Sequence, residues 1–460
     1  MEEFTASERK SCSTAHASLA ALGVKLCELD LLAPIREGVK VPQKCVKYTP
    51  FEKMYDCFIA ILAGAHGIVE INAGLRADPA LLLAFGGPGC AEQSVVQDTL
   101  DACTPETVAQ MEAALDQILG THSQAARHDY TQALQVLDVD FSGLHCGKQA
   151  EGATKGFFDG AKNRRGRQLG RVLATTYDEI VIDQLYPGNC QLVSVLPELV
   201  EAAEKRLQLT PEQIARTILR VDAGGGSIEN INWALGRGYL YHGKDYVGRR
   251  VKKLAQSVTL WVTDPKRPER EVGWVEAEAT EYVRPVVRVA VRCRKPNGQW
   301  AMGIVISALT PEIVLSQLGL PAPLKDDPEA VLLAYANLYD DRGGGLETSL
   351  KGGKSGLGIT HRNKKRFCAQ QVLLQWALLA QNVLVWAREW LKPVVPKVAK
   401  LGVKRMVRDL FGIRGTVESE PSGRVCRIWL NEDSPVARCY LPAFQKLVAT
   451  RHVCVLLGAT

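Results

Sequence analysis

A change of periodicity at Gln135 constrains the fold more than any other feature of the chain. Upstream, over residues 51 to about 119, apolar residues recur at helical spacing in short segments separated by Gly and Pro: FEKMYDCFIAILAG, IVEINAGLR, DPALLLAF, SVVQDTLDAC and TPETVAQMEAALDQIL. Thr104 followed by Pro105 marks the start of the last one, a side-chain cap with a proline in the first turn. At QVLDVDFSGL, residues 135–144, the period falls to two. The alternation places Asp138 and Asp140 on one strand face and apolar residues on the other. Two carboxylates on one face of a strand are a poor choice for stability and suggest a use.

Further strands are expected at VLATT, residues 172–176, and IVIDQLYPGN, residues 180–189. A helix follows over residues 196–207, with Pro197 suited to its first turn. Thr210 and Gln213 then form a capping box, and the strand ILRVD delivers Asp222 at its end. Strands followed by helices and a further strand predict an α/β fold, a mixed sheet flanked by helices. Residues 243–308 are strand-rich (SVTLWVTD, EVGWVEAEATEY, VVRVAVRCR, QWAMGIVISAL) and read as a mainly β insertion. Helix returns from Ala330, with a glycine-rich break at residues 343–345, the segment LETSLK and the long apolar helix AQQVLLQWALLAQNVLVWAREWL. Trp376, Trp386 and Trp390 share a face of that helix and are expected in the core. The chain closes with a hairpin, GTVESEPSGRVCRIWL, and a strand, HVCVLL. The expected organisation is an N-terminal helical region at 1–130, suited either to helix-turn-helix DNA binding or to a plain helical bundle, a core in two parts at 131–242 and 326–392, the β insertion at 243–325 and a C-terminal region at 393–460 as the candidate dimer interface.

Composition narrows the class. The chain has 460 residues, 46% of them hydrophobic and 23% charged, values that exclude a disordered or fibrous chain. The net charge of +6 is modest, but basic residues cluster at 162–167, 249–253, 362–366 and 404–408, suited either to a polyanion or to a solvated face. Thirteen cysteines without a C-x-x-C pair give no zinc ribbon or dithiol redox site. Neither a secretion signal nor an apolar run of about 20 residues is visible, so a cytoplasmic, nucleoid-associated protein without a membrane partner is expected.

Asp140, Asp222 and the later Glu347 can converge on one centre. Carboxylates drawn together repel one another, and hard oxygen donors of this kind select Mg²⁺, with Mn²⁺ as substitute. A pair of such ions suits phosphodiester cleavage. The bland alternative is three unrelated surface carboxylates.

The segments LDVDFSGLHCGKQAEGATKGFF and RVDAGGGSIENINWALGRGYLYHGKD resemble the first- and second-aspartate blocks of bacterial insertion-sequence transposases of the DDE superfamily. Relatives that cut through a DNA hairpin carry a third block of Tyr, Arg, Glu and Lys with two, three and six residues between them. Here Tyr339, Arg342, Glu347 and Lys354 stand with two, four and six, the extra residue lying in the triple glycine before Glu347. The resemblance covers residues 138–391. It implies an RNase H-like catalytic core interrupted by a β insertion, with Asp140 (Asp138 the alternative), Asp222 and Glu347 as catalytic metal ligands. It also implies phosphate contacts from Tyr339, Arg342 and Lys354, and cut-and-paste transposition by a homodimer that binds double-stranded transposon ends and target DNA. A nuclease without strand transfer and a non-catalytic DNA-binding protein are the rival readings. Further DNA-binding candidates are His145 and Lys148 past the first strand, Trp233 as a base-stacking aromatic, and Arg362, Lys364, Lys365 and Arg366 along a phosphate backbone.

Overall fold

The computed structural model describes residues 9–87, 89–158, 160–245 and 247–459. Fourteen strands occur among them: β1 (Lys10–Thr14), β2 (Gln135–His145), β3 (Thr154–Phe158), β4 (Ala161–Ala174), β5 (Glu179–Pro187), β6 (Thr217–Val221), β7 (Leu240–Lys244), β8 (Val262–Asp264), β9 (Arg267–Trp274), β10 (Val287–Arg294), β11 (Trp300–Ser307), β12 (Gly415–Ser419), β13 (Val425–Asn431) and β14 (Cys454–Gly458). The chain forms two compact units, one of residues 124–143 and 167–348 and the other of the remaining segments.

The 124–143/167–348 unit is a mixed α/β body on a large mixed sheet ordered β4-β2-β6-β7-β11-β10-β9-β8, with β5 also paired to β4. β2, β6 and β7 are parallel to one another, while β4 pairs antiparallel with β5. Alternation along β2 is the one read from the sequence: Leu137 and Val139 enter the core under helices Leu192–Leu207 and Ile228–Arg237, and Val136 enters the core under helix Pro328–Arg342. A sheet covered on both faces is the expected setting for parallel strands. The strand-rich segment past residue 243 extends this same sheet, because β11 pairs antiparallel with β7 from Val305↔Lys244 to Ser307↔His242.

Two expectations shift in detail. The helix predicted from residue 196 begins at Leu192, which puts Pro197 inside it. A proline there leaves the carbonyl four residues earlier without its helical donor. Asn230 Nδ2 supplies the missing hydrogen bond to the Val193 carbonyl at 2.9 Å, so the helix continues through the proline. The glycine-rich break at 343–345 is not a break either. Gly343–Glu347 form one π-helical turn between helix Pro328–Arg342 and helix Thr348–Gly356. A π turn is how a helix absorbs one extra residue.

The other unit is mainly helical. Its helix Phe367–Leu391 is buried on nearly every side, packing against Pro50–Leu62, Gln93–Asp101 and Pro105–His122. Trp376 and Trp386 are in the core as expected, against Phe58 and His122, whereas Trp390 is half-buried. Glu151 Oε2 accepts from the Phe367 amide at 2.7 Å and caps the long helix. A four-stranded sheet, β1-β12-β13-β14, brings the first described strand alongside the predicted terminal hairpin. No helix among the described residues is long and apolar enough to cross a membrane.

Within this helical unit, Asp56 is buried and accepts from the Ala91 amide at 2.8 Å. Burial pushes its carboxyl up to about 7, against the Ala91 donor and the Cys90 thiol, which pull it down. The native state therefore holds a proton that the unfolded chain releases near its ordinary value of 3.8, and the associated stability is lost as pH rises from about 4 to about 7. Melting curves recorded across that range should show the wild type losing stability with rising pH, and Asp56→Asn should flatten the dependence. An unchanged slope in the variant would remove Asp56 as its source.

Candidate active site

The site is built at the ends of β2 and β6. Their parallel register sets Asp138 beside Arg220 and Val139 beside Val221, so Asp140 and Asp222 follow as the next residue on each strand. The two aspartates of β2 share a face but not an environment. Asp138 is fully buried, accepting from Arg220 Nε at 2.6 Å, Arg220 Nη2 at 2.8 Å and Thr175 Oγ1 at 2.5 Å. Arg220 Nη1 is spent on the Leu338 carbonyl at 3.1 Å. The pair is a closed structural bridge, and Asp138 has no oxygen to spare for a ligand.

Asp140 is the open member. Its Oδ1 accepts from the Phe141 amide at 2.7 Å, and its Oδ2 lies 3.2 Å from Arg342 Nη1. Arg342 Nη2 lies 3.3 Å from Asp222 Oδ1, so one buried guanidinium bridges both carboxylates. Tyr339, one helical turn before Arg342, donates to the same Asp222 oxygen at 2.6 Å. Burial raises the Asp140 carboxyl, with the Asp222 charge adding to the rise and Arg342 opposing it. At Asp222 burial also pushes up, but the Tyr339 hydrogen bond and the Arg342 charge outweigh it and hold the carboxyl below its ordinary value.

Two hard oxygen donors already facing a single cation fit a divalent ion in their chemistry. Glu347 stands apart from that pair. It is exposed on the π turn, with its carboxylate folded over Gly343, where an added Cβ would sit 3.6 Å from Oε2. Among the described residues no three His, Cys, Asp or Glu side chains are gathered closely enough to hold a metal ion. Gly345 in the same turn has no room for a side chain: a Cβ would meet Thr175 Cγ2 at 2.5 Å and Asp138 Oδ2 at 3.5 Å.

The remaining candidates are distributed as follows. His145 and Lys148 are exposed. Trp233 is half-buried against the core beneath helix Leu192–Leu207, with the Arg237 guanidinium 5.3 Å from its ring centre, the packing role rather than an open stacking face. Lys354 lies in helix Thr348–Gly356. The basic stretch 362–366 alternates: Lys365 and Arg366 are exposed, but Arg362 and Lys364 turn inward, Arg362 to the Leu357 carbonyl and Lys364 Nζ to Gln97 Oε1 at 2.7 Å. Those two cations serve the interior of the helical unit and do not track a surface backbone.

Lys244 is a site residue that the sequence reading passed over. It closes β7, level with Asp222 at the end of β6, and its Nζ lies 4.1 Å from the centre of the Tyr339 ring. The only signal for it was the position of a lysine at a strand end beside the second-aspartate strand. Gly226, in the turn after Asp222, is required by this geometry, because a Cβ there would fall 1.7 Å from the Lys244 carbonyl oxygen.

No family model matches the chain, and no curated protein matches it. Among solved structures it is similar to a piggyBac transposase in a synaptic complex with hairpin DNA, seen by cryo-electron microscopy. The likeness has a TM-score of 0.43 at 10% identity and spans 87% of this chain and 82% of that one. It carries no argument about activity.

The unequal environments of the β2 aspartates give stability effects of unequal size. Asp138→Ala strands the Arg220 guanidinium in the core and should cost about 3–5 kcal/mol in urea unfolding. Asp140→Asn should cost about 1 kcal/mol or less, since Arg342 keeps Asp222. Equal losses at the two positions would refute the assignment of Asp138 to structure and Asp140 to the open site.

Proposed function

We propose that the protein is a DNA transposase of the DDE type, with an RNase H-like core, that cuts transposon ends and joins them to target DNA. The observation that carries this reading is the convergence of Asp140 and Asp222, from the ends of adjacent parallel strands, on a single guanidinium beside Tyr339. The order of elements is compatible with it: four successive strands, β2 to β5, then two helices, strand, helix and strand, with β6 and β7 parallel to β2. The finer reading as a bacterial insertion-sequence enzyme rests on the three sequence blocks and their order.

In this reading Asp140 and Asp222, joined by Glu347 once it is drawn to them from its exposed turn, would hold a pair of Mg²⁺ or Mn²⁺ ions, whose chemistry is to activate an attacking water or 3′ hydroxyl and to stabilise the leaving oxygen. Tyr339 fixes the orientation of Asp222 through its hydroxyl. Arg342 exchanges its carboxylate partners for a backbone phosphate, to which its fork can donate two parallel hydrogen bonds. No covalent enzyme intermediate is needed, so the chain requires no activated serine or cysteine. Lys354, Lys365 and Arg366 would hold flanking phosphates, and a homodimer would keep two transposon ends together.

The test is a donor DNA bearing the inverted repeats that flank the coding region, incubated with protein, target plasmid and Mg²⁺. Cleaved ends and joined product are expected. Asp140→Ala, Asp222→Ala and Glu347→Ala should each reduce both by roughly a thousandfold or more. Cleavage without joining would make the protein a nuclease, and undiminished cleavage in the three variants would place the chemistry elsewhere.

A further inference from the structure

Lys244 differs from every other cation around the site in having nothing to hold. Asp222 Oδ1 already receives Tyr339 and Arg342, and Asp340 is engaged by Arg267 at 2.7 Å and by Arg270. Arg220 is closed on Asp138. Among the described residues, the half-buried ammonium of Lys244 has neither a hydrogen-bond acceptor nor an ion pair within 4 Å; it lies on the face of Tyr339, and the charges of Asp340 and Asp222 act on it from farther off. A partly desolvated, unpaired ammonium is unfavourable for folding, and cation–π contact offsets only part of that. Its backbone is nevertheless closely held, and its stem has a defined course. The side chain runs past Gly303, where an added Cβ would stand 3.6 Å from both Cδ and Cε. Its backbone is pressed against Gly226 in the turn that follows Asp222.

We propose that Lys244 is a substrate-contacting residue of this site, donating to a non-bridging oxygen of the phosphate that is held next to Asp222. This rests on the reading of the site as a DNA phosphoryl-transfer centre. A phosphate oxygen fits for three reasons. The ammonium is a compact point charge with free protons to donate. Neither neighbouring carboxylate, Asp222 nor Asp340, accepts from it, which leaves its protons free for an acceptor from outside. The ammonium also shares the Tyr339 ring with Arg342, whose Cζ lies 5.6 Å from the ring centre, so two cations are arrayed about the aromatic that orients Asp222. Together they form a two-pronged anion cradle in which Arg342 is masked by carboxylates and Lys244 is not.

The experiment compares wild type, Lys244→Met and Lys244→Arg in three measurements. The first is anisotropy of a short fluorescein-labelled duplex of arbitrary sequence between about 50 and 200 mM KCl, where one lost phosphate contact lowers the log–log salt slope by about 0.9. The second is nicking, in Mn²⁺, of a supercoiled plasmid that carries the inverted repeats flanking the coding region, where loss of a charge-assisted hydrogen bond should slow Lys244→Met by roughly tenfold or more, with Lys244→Arg recovering part. The third is the melting temperature without DNA, expected to be unchanged or higher in Lys244→Met because an unpaired buried charge is gone. A merely structural lysine would instead lower the melting temperature and leave the slope alone. An unchanged slope with wild-type nicking in Lys244→Met overturns the proposal. If the wild type binds DNA but never nicks it, the phosphoryl-transfer reading fails, while the slope still decides the contact. A wild type that binds no DNA sinks both.

Discussion

The parallel pairing of β2 with β6 is the constraint on which the rest of the site depends. Its register makes Asp138 and Arg220 direct neighbours and leaves Asp140 and Asp222 as the first residues beyond the ladder. Ligand sites of open α/β sheets form at such carboxyl ends, where the strands stop and the covering helices leave a crevice. A buried ion pair is by itself weak evidence for stability, because desolvating both charges offsets most of their attraction. What makes this one effective is saturation. Asp138 takes three donors, Arg220 gives to a carboxylate and to the Leu338 carbonyl, and Thr175 joins from the end of β4. One bridge thereby ties β2, β6, the β4 turn and helix Pro328–Arg342 into a rigid floor.

Above that floor the charges are arranged differently. Asp140 and Asp222 would repel, and burial makes the Asp140 charge still less favourable. Arg342 resolves the conflict internally by sharing one guanidinium between them. Part of the repulsion within the acidic pair is thus neutralised from inside the chain. The arrangement also implies competition: the group that neutralises the carboxylates is the group the proposed chemistry needs on a phosphate.

Much of this was legible from residues alone. Alternation in QVLDVDFSGL placed both aspartates, and the capping signals at Thr104 and Thr210 placed helix starts that the structure has. Other features lay beyond local pattern. Nothing in the spacing of Asp138 and Asp140 separates a structural carboxylate from an open one; the difference is made by Arg220, eighty-two residues on in sequence. HRNKKR reads as a uniform basic stretch, yet the irregular segment before the long helix buries Arg362 and Lys364 while exposing Lys365. Pro197 suggests a helix start only if the donor from Asn230 to the Val193 carbonyl is unknown. In each case the deciding partner is distant in the chain, where propensity and periodicity carry no information.

The π turn over Gly343–Glu347, which holds one residue more than an α turn, sets how Glu347 stands relative to Tyr339 and Arg342. In a regular α-helix, one added residue would turn Glu347 about 100° away from the face that carries Tyr339 and Arg342. A π turn widens the helix locally and spends that residue without the rotation, at the cost of weaker hydrogen bonds and a bulge that must fit its surroundings. The glycines supply the fit. Gly345 lets the widened turn come against Thr175 and Asp138, and Gly343 leaves space over which the Glu347 carboxylate lies. The bulge therefore leans on the Asp138–Arg220 floor, which places Glu347 on a turn whose position follows from the β2–β6 register.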